Sequence, residues 1–243
     1  MTQSHARLSV NINKIALLRN SRGDNRPDVL AVAQDCVRFG AEGITVHPRP
    51  DQRHITFEDV RILREHLEVE LNVEGYPSPE FLRLVLDLKP AQVTLVPDAP
   101  DALTSDCGWD VAAQHALLLT ILRDLKTAGI RSSLFIDPYF SDFSALASLP
   151  CDRVELYTYD YAKMASVDAK AALTPYMTCA KKIHTLGLGL NAGHDLNQDN
   201  LSAFANALPT LLEVSIGHAL ICEALYQGLE SCIRTYRHLL AGT

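Results

Sequence analysis

The chain has 243 residues, of which 47% are hydrophobic and 21% charged, a composition typical of an ordinary soluble globular protein. Its formal net charge of −7 leaves no basic stripe for a nucleic-acid partner, whereas a small phosphorylated ligand needs only a few placed arginines and backbone N–H groups. The six cysteines lie far apart without a CxxC pair, which argues against zinc and redox motifs and predicts reduced thiols.

The first residues, MTQSHARLSVN, show no basic-then-apolar signal pattern, and no apolar run approaches membrane-spanning length. We therefore expect a cytoplasmic protein with no membrane partner.

Eight short apolar segments along the chain are predicted strands, and their lack of clean alternation is expected of parallel strands covered on both faces. In chain order they are Leu8–Asn13, Gly43–Pro48, Glu70–Gly75, Gln92–Asp98, Arg131–Asp137, Arg153–Thr158, Gly187–Gly193 and Glu213–His218.

Segments with helical periodicity lie between the strands. A helix is predicted from Pro27 to Phe39, because proline suits a first turn and Gly40 stops the pattern. Thr56 to Asp59 resembles a capping box that opens a helix through Leu67. A further helix is predicted to start at Ser78 and to end before Pro90. The remaining predicted helices run from about Asp110 to Ala128, from Ala169 to Leu186, from Asn200 to Ala207 and from Ala219 to Leu240. Pro175 is expected to mark a kink or the start of a second helix within the second of these.

Eight strands that alternate with helices, without a linker that divides the chain, most simply give one closed (β/α)8 barrel domain over residues 1–243. A doubly wound open sheet is the alternative. It is disfavoured because no G-x-G-x-x-G follows the first strand, which runs instead into NKIALLRNSRG.

Polar residues stand at the C-terminal ends of the predicted strands, which converge on one mouth in a barrel. The three histidines and two glutamates among them predict an acid–base site, because histidine exchanges protons near neutral pH and a neighbouring carboxylate orients or shares the proton. A hydrogen-bonded structural role is the alternative for any one strand-end histidine, so the prediction rests on the whole set. The full set is Asn11 and Asn13, His47, Glu74, Asp98, Asp137, Glu155, His194 and His218.

Anion binding is the second predicted property. Arg22 follows the first strand, and Arg49 and Arg53 follow the second; guanidinium groups suit bidentate phosphate contacts, although a surface role is favoured for Arg53. NAGHD (Asn191–Asp195) and SIGHAL (Ser215–Leu220) each place a glycine where backbone N–H groups can approach an oxyanion. Turn geometry alone is the alternative explanation of these glycines.

Three other mechanisms are disfavoured. A metal site would use His47, His194 and Asp137, but no HxH or HExxH spacing is present. Schiff-base catalysis needs a strand-end lysine, for which Lys14 is the nearest candidate. Cys107 lies in a loop without an obvious activating partner.

Several segments together resemble the pyridoxine 5′-phosphate synthase family over nearly the whole chain. They include LSVNINKIALLRNSRG, GITVHPRPDQRHIT, LNVEG, RVELYT, GLGLNAGHDL and SIGHAL. The resemblance implies a (β/α)8 barrel with extra helices, and an assembly of eight identical chains (a homo-octamer) built from dimers. It also implies condensation of 1-deoxy-D-xylulose 5-phosphate with 3-amino-2-oxopropyl phosphate, with release of inorganic phosphate and water and without metal or organic cofactor.

The resemblance also implies residue roles. His47 and Glu74 would be general bases, His194 the proton donor, and Glu155 would stabilise charge in the transition state. The implied ligands of the deoxyxylulose phosphate are Arg49, His54 and Thr104, and those of the amino-ketone phosphate are Asn11, Arg22, Gly217 and His218. Thr104 is implied by the resemblance alone.

The chain departs from the family pattern at several positions near the site. Asn13 and Lys14 stand where Asp-His is common among the deoxyxylulose contacts, and Asp195 replaces a glycine beside His194. We still expect Asn13, Lys14 and Asp195 to be substrate-binding residues. Pro48 and Pro50 stand where Leu and Glu are common, and Tyr157 and Tyr159 where His and Gly are usual. We expect a divergent but active member; the alternatives are another phosphosugar isomerase or aldolase on this barrel, or a catalytically silent binding protein.

Overall fold

A computed structural model describes residues 5–98, 105 and 107–242. Its strands close into a parallel barrel in which each strand pairs with its neighbour in sequence and the first pairs with the last. This confirms the predicted fold class. The strands are β1 (Arg7–Asn11), β2 (Gly43–Val46), β3 (Glu70–Gly75), β4 (Gln92–Leu95), β5 (Arg131–Ile136), β6 (Arg153–Leu156), β7 (Gly189–Ala192) and β8 (Leu211–Ile216).

Helices connect the strands on the outside of the barrel. Asp28, Thr56 and Ser78 cap three of them, each accepting a hydrogen bond from a backbone N–H in the first turn, and the capping box at Thr56 is confirmed. The helices are α1 (Asn13–Asn20), α2 (Val29–Phe39), α3 (Phe57–His66), α4 (Pro79–Leu88), α5 (His115–Thr127), α6 (Phe143–Ala147), α7 (Tyr159–Thr185), α8 (Leu201–Ala207), α9 (His218–Gln227) and α10 (Leu229–Ala241). No helix within the described ranges is long and apolar enough to cross a membrane.

Several predicted boundaries were wrong. The helix predicted from Ala169 begins ten residues earlier, at Tyr159, and the helix predicted from about Asp110 begins at His115. Three of the differences have a clear physical cause. The first strand ends at Asn11, whose side-chain oxygen accepts the N–H of Asn13 at 3.1 Å and turns the chain directly into α1. The kink in α7 lies at Asp168 and not at Pro175, because Asp168 leaves helical geometry and caps the next turn through the N–H of Ala171. The predicted C-terminal helix is two helices, divided at Gly228 with a φ of 80°.

The hydrophobic core lies between the barrel and its helices, whereas polar side chains fill the barrel interior. The floor of the barrel, at the N-terminal ends of the strands, is formed by a network of charged side chains. Arg7 donates to Glu70 at 2.8 Å and to Glu213 at 3.3 Å, and Arg131 and Arg153 pair with the same two carboxylates. These ion pairs offset the cost of placing charge inside the barrel.

A neutral polar layer lies above the floor. The hydroxyl groups of Ser9 and Thr45 are 2.7 Å apart, and Thr94 donates to Asn72 at 3.1 Å. Because side chains alternate along a strand, the next inward-facing positions lie two residues further on, at the mouth of the barrel. This alternation brings the polar residues at the strand ends together.

Candidate active site

The C-terminal ends of the strands enclose a cavity of about 430 Å³. A larger groove of about 840 Å³ lies beside the start of α10, away from the strand ends. The cavity at the mouth collects most of the predicted site residues. Its lining consists of Asn11, Asn13, Lys14, His47, Arg49, His54, Glu74, Val96, Ser105, Phe135, Glu155, Tyr157, Tyr159, His194, Asp195, Ser215, Gly217 and His218.

Some predicted residues lie elsewhere. Arg22 is exposed beyond the end of α1, outside the cavity lining. Asp137 lines a separate depression beside Tyr139, so it does not join the histidines at the mouth. Thr104 lies outside the described residues, and Cys107 is exposed. In the part of the chain that the structure describes, no three His, Cys, Asp or Glu side chains form a metal-binding group.

His47 stands immediately beyond β2, and its backbone is held by α1. The side-chain oxygen of Asn13 accepts the N–H of His47 at 2.9 Å, so the first residue of that helix positions the histidine. Burial and the nearby positive charge of Arg49 lower the pKa of His47 well below its ordinary value of 6.5. The imidazole is therefore neutral at physiological pH and available as a base.

Glu74 lies on β3 with its carboxylate near His47 and within 3.5 Å of the Asn11 amide nitrogen. The distance from Nδ1 of His47 to Oε2 of Glu74 is 3.9 Å. Burial, together with the charges of Glu155 and Asp98, raises the pKa of Glu74 well above 4.5. The two groups are close enough for an ion pair, but both shifts favour the neutral forms, so Glu74 holds the proton.

Glu155 is the second buried carboxyl group at the mouth. Burial, reinforced by the charge of Glu213, raises its pKa from 4.5 to about 8. Its Oε2 atom is fully buried and makes no hydrogen bond to the residues that the structure describes. Such an oxygen is available to a bound molecule, because a buried polar atom without a partner is energetically costly.

Arg49 is the buried cation of the cavity. Its Nη2 atom donates to Oδ2 of Asp98 at 2.8 Å, and the Ser105 hydroxyl donates to the same oxygen at 2.6 Å. Asp98 thus fixes the guanidinium group at the cavity wall, where its planar donors suit a phosphate. Ser105 was not predicted, because a serine in a loop carries no distinctive sequence signal.

His54 adds a neutral hydrogen-bond donor beside Arg49. Its Nδ1 accepts the N–H of Ile55 at 2.9 Å, which leaves the ring proton on Nε2. Burial, with Arg49 and Lys14 nearby, lowers the pKa of His54 to about 4. His54 therefore contributes a hydrogen bond rather than a charge at neutral pH.

Two glycines allow close packing at the mouth, one after β7 against β8 and one after β8 against the end of β1. A Cβ on Gly193 would lie 2.0 Å from the carbonyl oxygen of Ser215, and one on Gly217 would lie 3.0 Å from Cβ of Asn11. Gly217 directly precedes α9, so the N-terminus of that helix meets the cavity at His218. Its free N–H groups and positive dipole end favour an anion there.

Aromatic residues form a further wall of the cavity. The rings of Tyr157 and Tyr159 stack with centroids 6.0 Å apart, and Phe135 packs on Tyr157 at 5.4 Å. Tyr157 and Phe135 were not predicted as site residues. A signal for Tyr157 was present, because it lies two residues after Glu155 and so shares its side of the strand.

A closed parallel barrel whose mouth collects histidine and glutamate side chains beside a helix N-terminus defines a (β/α)8-barrel enzyme. A sequence model of the family described as pyridoxal phosphate biosynthesis protein PdxJ matches residues 8–242. The chain belongs to this family. It is 57% identical to the pyridoxine 5′-phosphate synthase of Porphyromonas gingivalis over 235 residues, covering 97% of this chain and 99% of the relative. It is 54% identical to that of Phocaeicola vulgatus, covering 96% and 98%.

Solved structures of other enzymes share the fold. The 3-keto-L-gulonate-6-phosphate decarboxylase of Vibrio cholerae superposes with a TM-score of 0.65 at 13% identity, covering 97% of both chains. A tryptophan synthase chain from M. tuberculosis superposes with a TM-score of 0.66 at 12% identity, covering 99% of this chain and 95% of that one. At such low identity these similarities concern the barrel alone.

Proposed function

We propose that this protein is a pyridoxine 5′-phosphate synthase that condenses 1-deoxy-D-xylulose 5-phosphate with 3-amino-2-oxopropyl phosphate. The products are pyridoxine 5′-phosphate, inorganic phosphate and water. The observation that carries the proposal is the convergence of His47, Glu74, Glu155 and His194 on one cavity, in a chain 57% identical to a relative of that name.

The acid–base groups suit a reaction made of successive proton transfers. Imine formation, enolisation, loss of phosphate and ring closure each move protons on one bound intermediate. His47, neutral because of burial, acts as a base, and the protonated Glu74 beside it returns or relays protons. Glu74 acts as a base itself once its proton has passed on. Glu155 stabilises developing positive charge when ionised.

Two anion-binding regions match two phosphorylated substrates. Arg49 and His54 bind the deoxyxylulose phosphate, with Asn13 and Lys14 lining the same side of the cavity. Gly217 and His218, at the start of α9, bind the amino-ketone phosphate together with Asn11. Contacts to the two phosphates hold the substrates together, which lowers the entropic cost of the condensation.

Incubation of the purified protein with both substrates tests the proposal. We expect pyridoxine 5′-phosphate, identified by chromatography and mass, and inorganic phosphate in equal amounts. Omission of either substrate is the control and must abolish both products. If neither product forms while either phosphate still binds, the protein is a silent binding relative and the proposal fails.

We further propose, from the family resemblance, that the single-domain protomers act in the cytoplasm as a homo-octamer of eight chains built from dimers. Light scattering coupled to gel filtration measures the assembly directly. An octamer of the 26.8 kDa chain is expected, and a monomer at micromolar concentration would contradict this part of the proposal.

A further inference from the structure

His194 stands beyond β7 on a backbone that its surroundings hold in place. The hydroxyl group of the buried Thr158 donates to the carbonyl oxygen of His194. The side-chain amide of Asn200 donates to the carbonyl oxygen of Asp195 at 3.4 Å. Gly193, just before, fits against Ser215 with no room for a side chain. With the backbone fixed, the imidazole of His194 moves only by rotation of its side chain.

Two neighbours restrict that rotation. Oδ2 of Asp195 lies 2.6 Å from Nδ1 of His194, which is the distance of a strong hydrogen bond to a carboxylate. The ring of Tyr157 meets the imidazole edge-on, with centroids 5.4 Å apart and planes at 67°. The hydroxyl group of Tyr176 donates to the carbonyl oxygen of Tyr157 at 3.1 Å and fixes that strand end.

The backbone of Asp195 is adapted to this contact. Its φ is 66°, in the left-handed region that aspartate and asparagine tolerate better than most residues other than glycine. A carboxylate bound to His194 is also a poor ligand for a phosphate, since the two anions repel each other. The geometry therefore argues against Asp195 as a substrate ligand, the role predicted for it from the sequence.

We infer that Asp195 is a positioning residue that holds the His194 imidazole with its Nδ1 proton toward the carboxylate and its Nε2 atom toward the substrates. A carboxylate accepts hydrogen bonds but donates none, so it selects the Nδ1–H form of the neutral ring. Nε2 of this form carries no proton, so His194 accepts a proton there before it acts, as the imidazolium, as the proton donor that the family resemblance implies. The arrangement parallels the aspartate–histidine pair of serine hydrolases, in which the carboxylate fixes the tautomer without taking the proton. This inference rests on the proposed function for its catalytic consequence, and on geometry alone for the tautomer.

Asp195→Asn is the sharpest test. Asparagine retains the left-handed backbone, but its amide also donates a hydrogen bond to Nδ1 and admits the other tautomer. We expect kcat to fall by at least about tenfold while both KM values stay within about twofold, because the substrates' phosphates are bound elsewhere. Asp199→Asn removes an exposed carboxylate from the same loop, and this control is expected to retain full activity.

Solid-state ¹⁵N spectra of the histidine-labelled protein give a readout independent of turnover. A difference spectrum against His194→Gln assigns the ring, and the wild-type protein is expected to show protonated Nδ1 and unprotonated Nε2 at pH 8. The Nε2–H form in the wild-type protein, or unchanged kcat in Asp195→Asn, overturns the inference. A wild-type protein without synthase activity contradicts the proposed function instead, and the spectrum still decides the position of the proton.

Discussion

Nδ1 of His47 lies 3.9 Å from Oε2 of Glu74, and the pKa values of these two buried groups are displaced in opposite directions. With ordinary pKa values of 6.5 and 4.5, the pair would be imidazolium and carboxylate at pH 5.5. Burial reverses this distribution, so the proton rests on Glu74 and His47 keeps a free electron pair. Groups whose environments separate their pKa values in this way are typical of acid–base catalysis.

Replacement of His47 by alanine tests its role as a base. We expect kcat to fall by about 10²- to 10⁴-fold, the range for loss of a general base, while the folded state persists. Steady-state product formation and a thermal unfolding curve measure the two effects. His66→Ala is the matched control, because His66 is an exposed histidine in the last turn of α3. Turnover of His47→Ala within twofold of the wild type would remove His47 from the mechanism.

Glu155→Gln tests the raised pKa of Glu155 through stability. Between about pH 4.5 and about 8 the folded protein retains a proton on Glu155 that the unfolded chain has released. The free energy of unfolding contributed by this group therefore falls as the pH rises through that window. Glutamine cannot ionise, so the stability of the variant relative to the wild type is expected to rise from pH 5 to pH 8. Denaturant unfolding at fixed protein concentration measures both curves, and parallel curves would contradict the shift.

Arg49→Lys tests phosphate binding without leaving Asp98 as a buried unpaired charge. Lysine keeps the positive charge but loses the planar pair of donors. We expect KM for 1-deoxy-D-xylulose 5-phosphate to rise about tenfold, the effect of losing about 1.4 kcal/mol of binding. The KM for the second substrate is expected to change little. Arg53→Lys, which alters an arginine paired with Asp51, serves as the control. Equal effects of the two variants would assign no special role to Arg49.

Gly193→Ala tests the close approach of the last two strands. A Cβ at this position lies 2.0 Å from a backbone oxygen, which cannot move without disturbing β8. We expect a loss of about 3 kcal/mol or more in the free energy of unfolding, the upper range for overpacking. Gly129→Ala is the control, since Gly129 has a φ of 75° but open space around it. Its cost is expected to be about 1–2 kcal/mol, from backbone strain alone.

The sequence predicted the barrel well because its signals are local. Apolar runs marked all eight strands, and Thr56 marked the start of α3. The wrongly predicted boundaries depend on side-chain contacts, which the periodicity of apolar residues along the sequence does not reveal. Asn11 turns the chain into α1, and Asp168 interrupts α7, through hydrogen bonds made by single side chains.

The candidate site was predictable as a set of strand ends, because the barrel topology brings those ends together. His47, Glu74, Glu155 and His194 all line the cavity as predicted, while their catalytic roles stay predictions. The direction of each pKa shift was not predictable, since it depends on burial and on charges from other strands. The contact between Asp195 and His194 was likewise not predictable, because the direction of the Asp195 side chain follows from the left-handed backbone of that residue.

The charged residues at the floor of the barrel affect the pKa of a carboxyl group at the mouth. Glu213, paired there with Arg7 and Arg153, contributes to the raised pKa of Glu155. Replacement of Glu213 by an uncharged residue is therefore expected to lower the pKa of Glu155 from a position outside the cavity lining. The protonation of a carboxyl group at the mouth thus depends on an ion-pair network at the opposite end of the barrel.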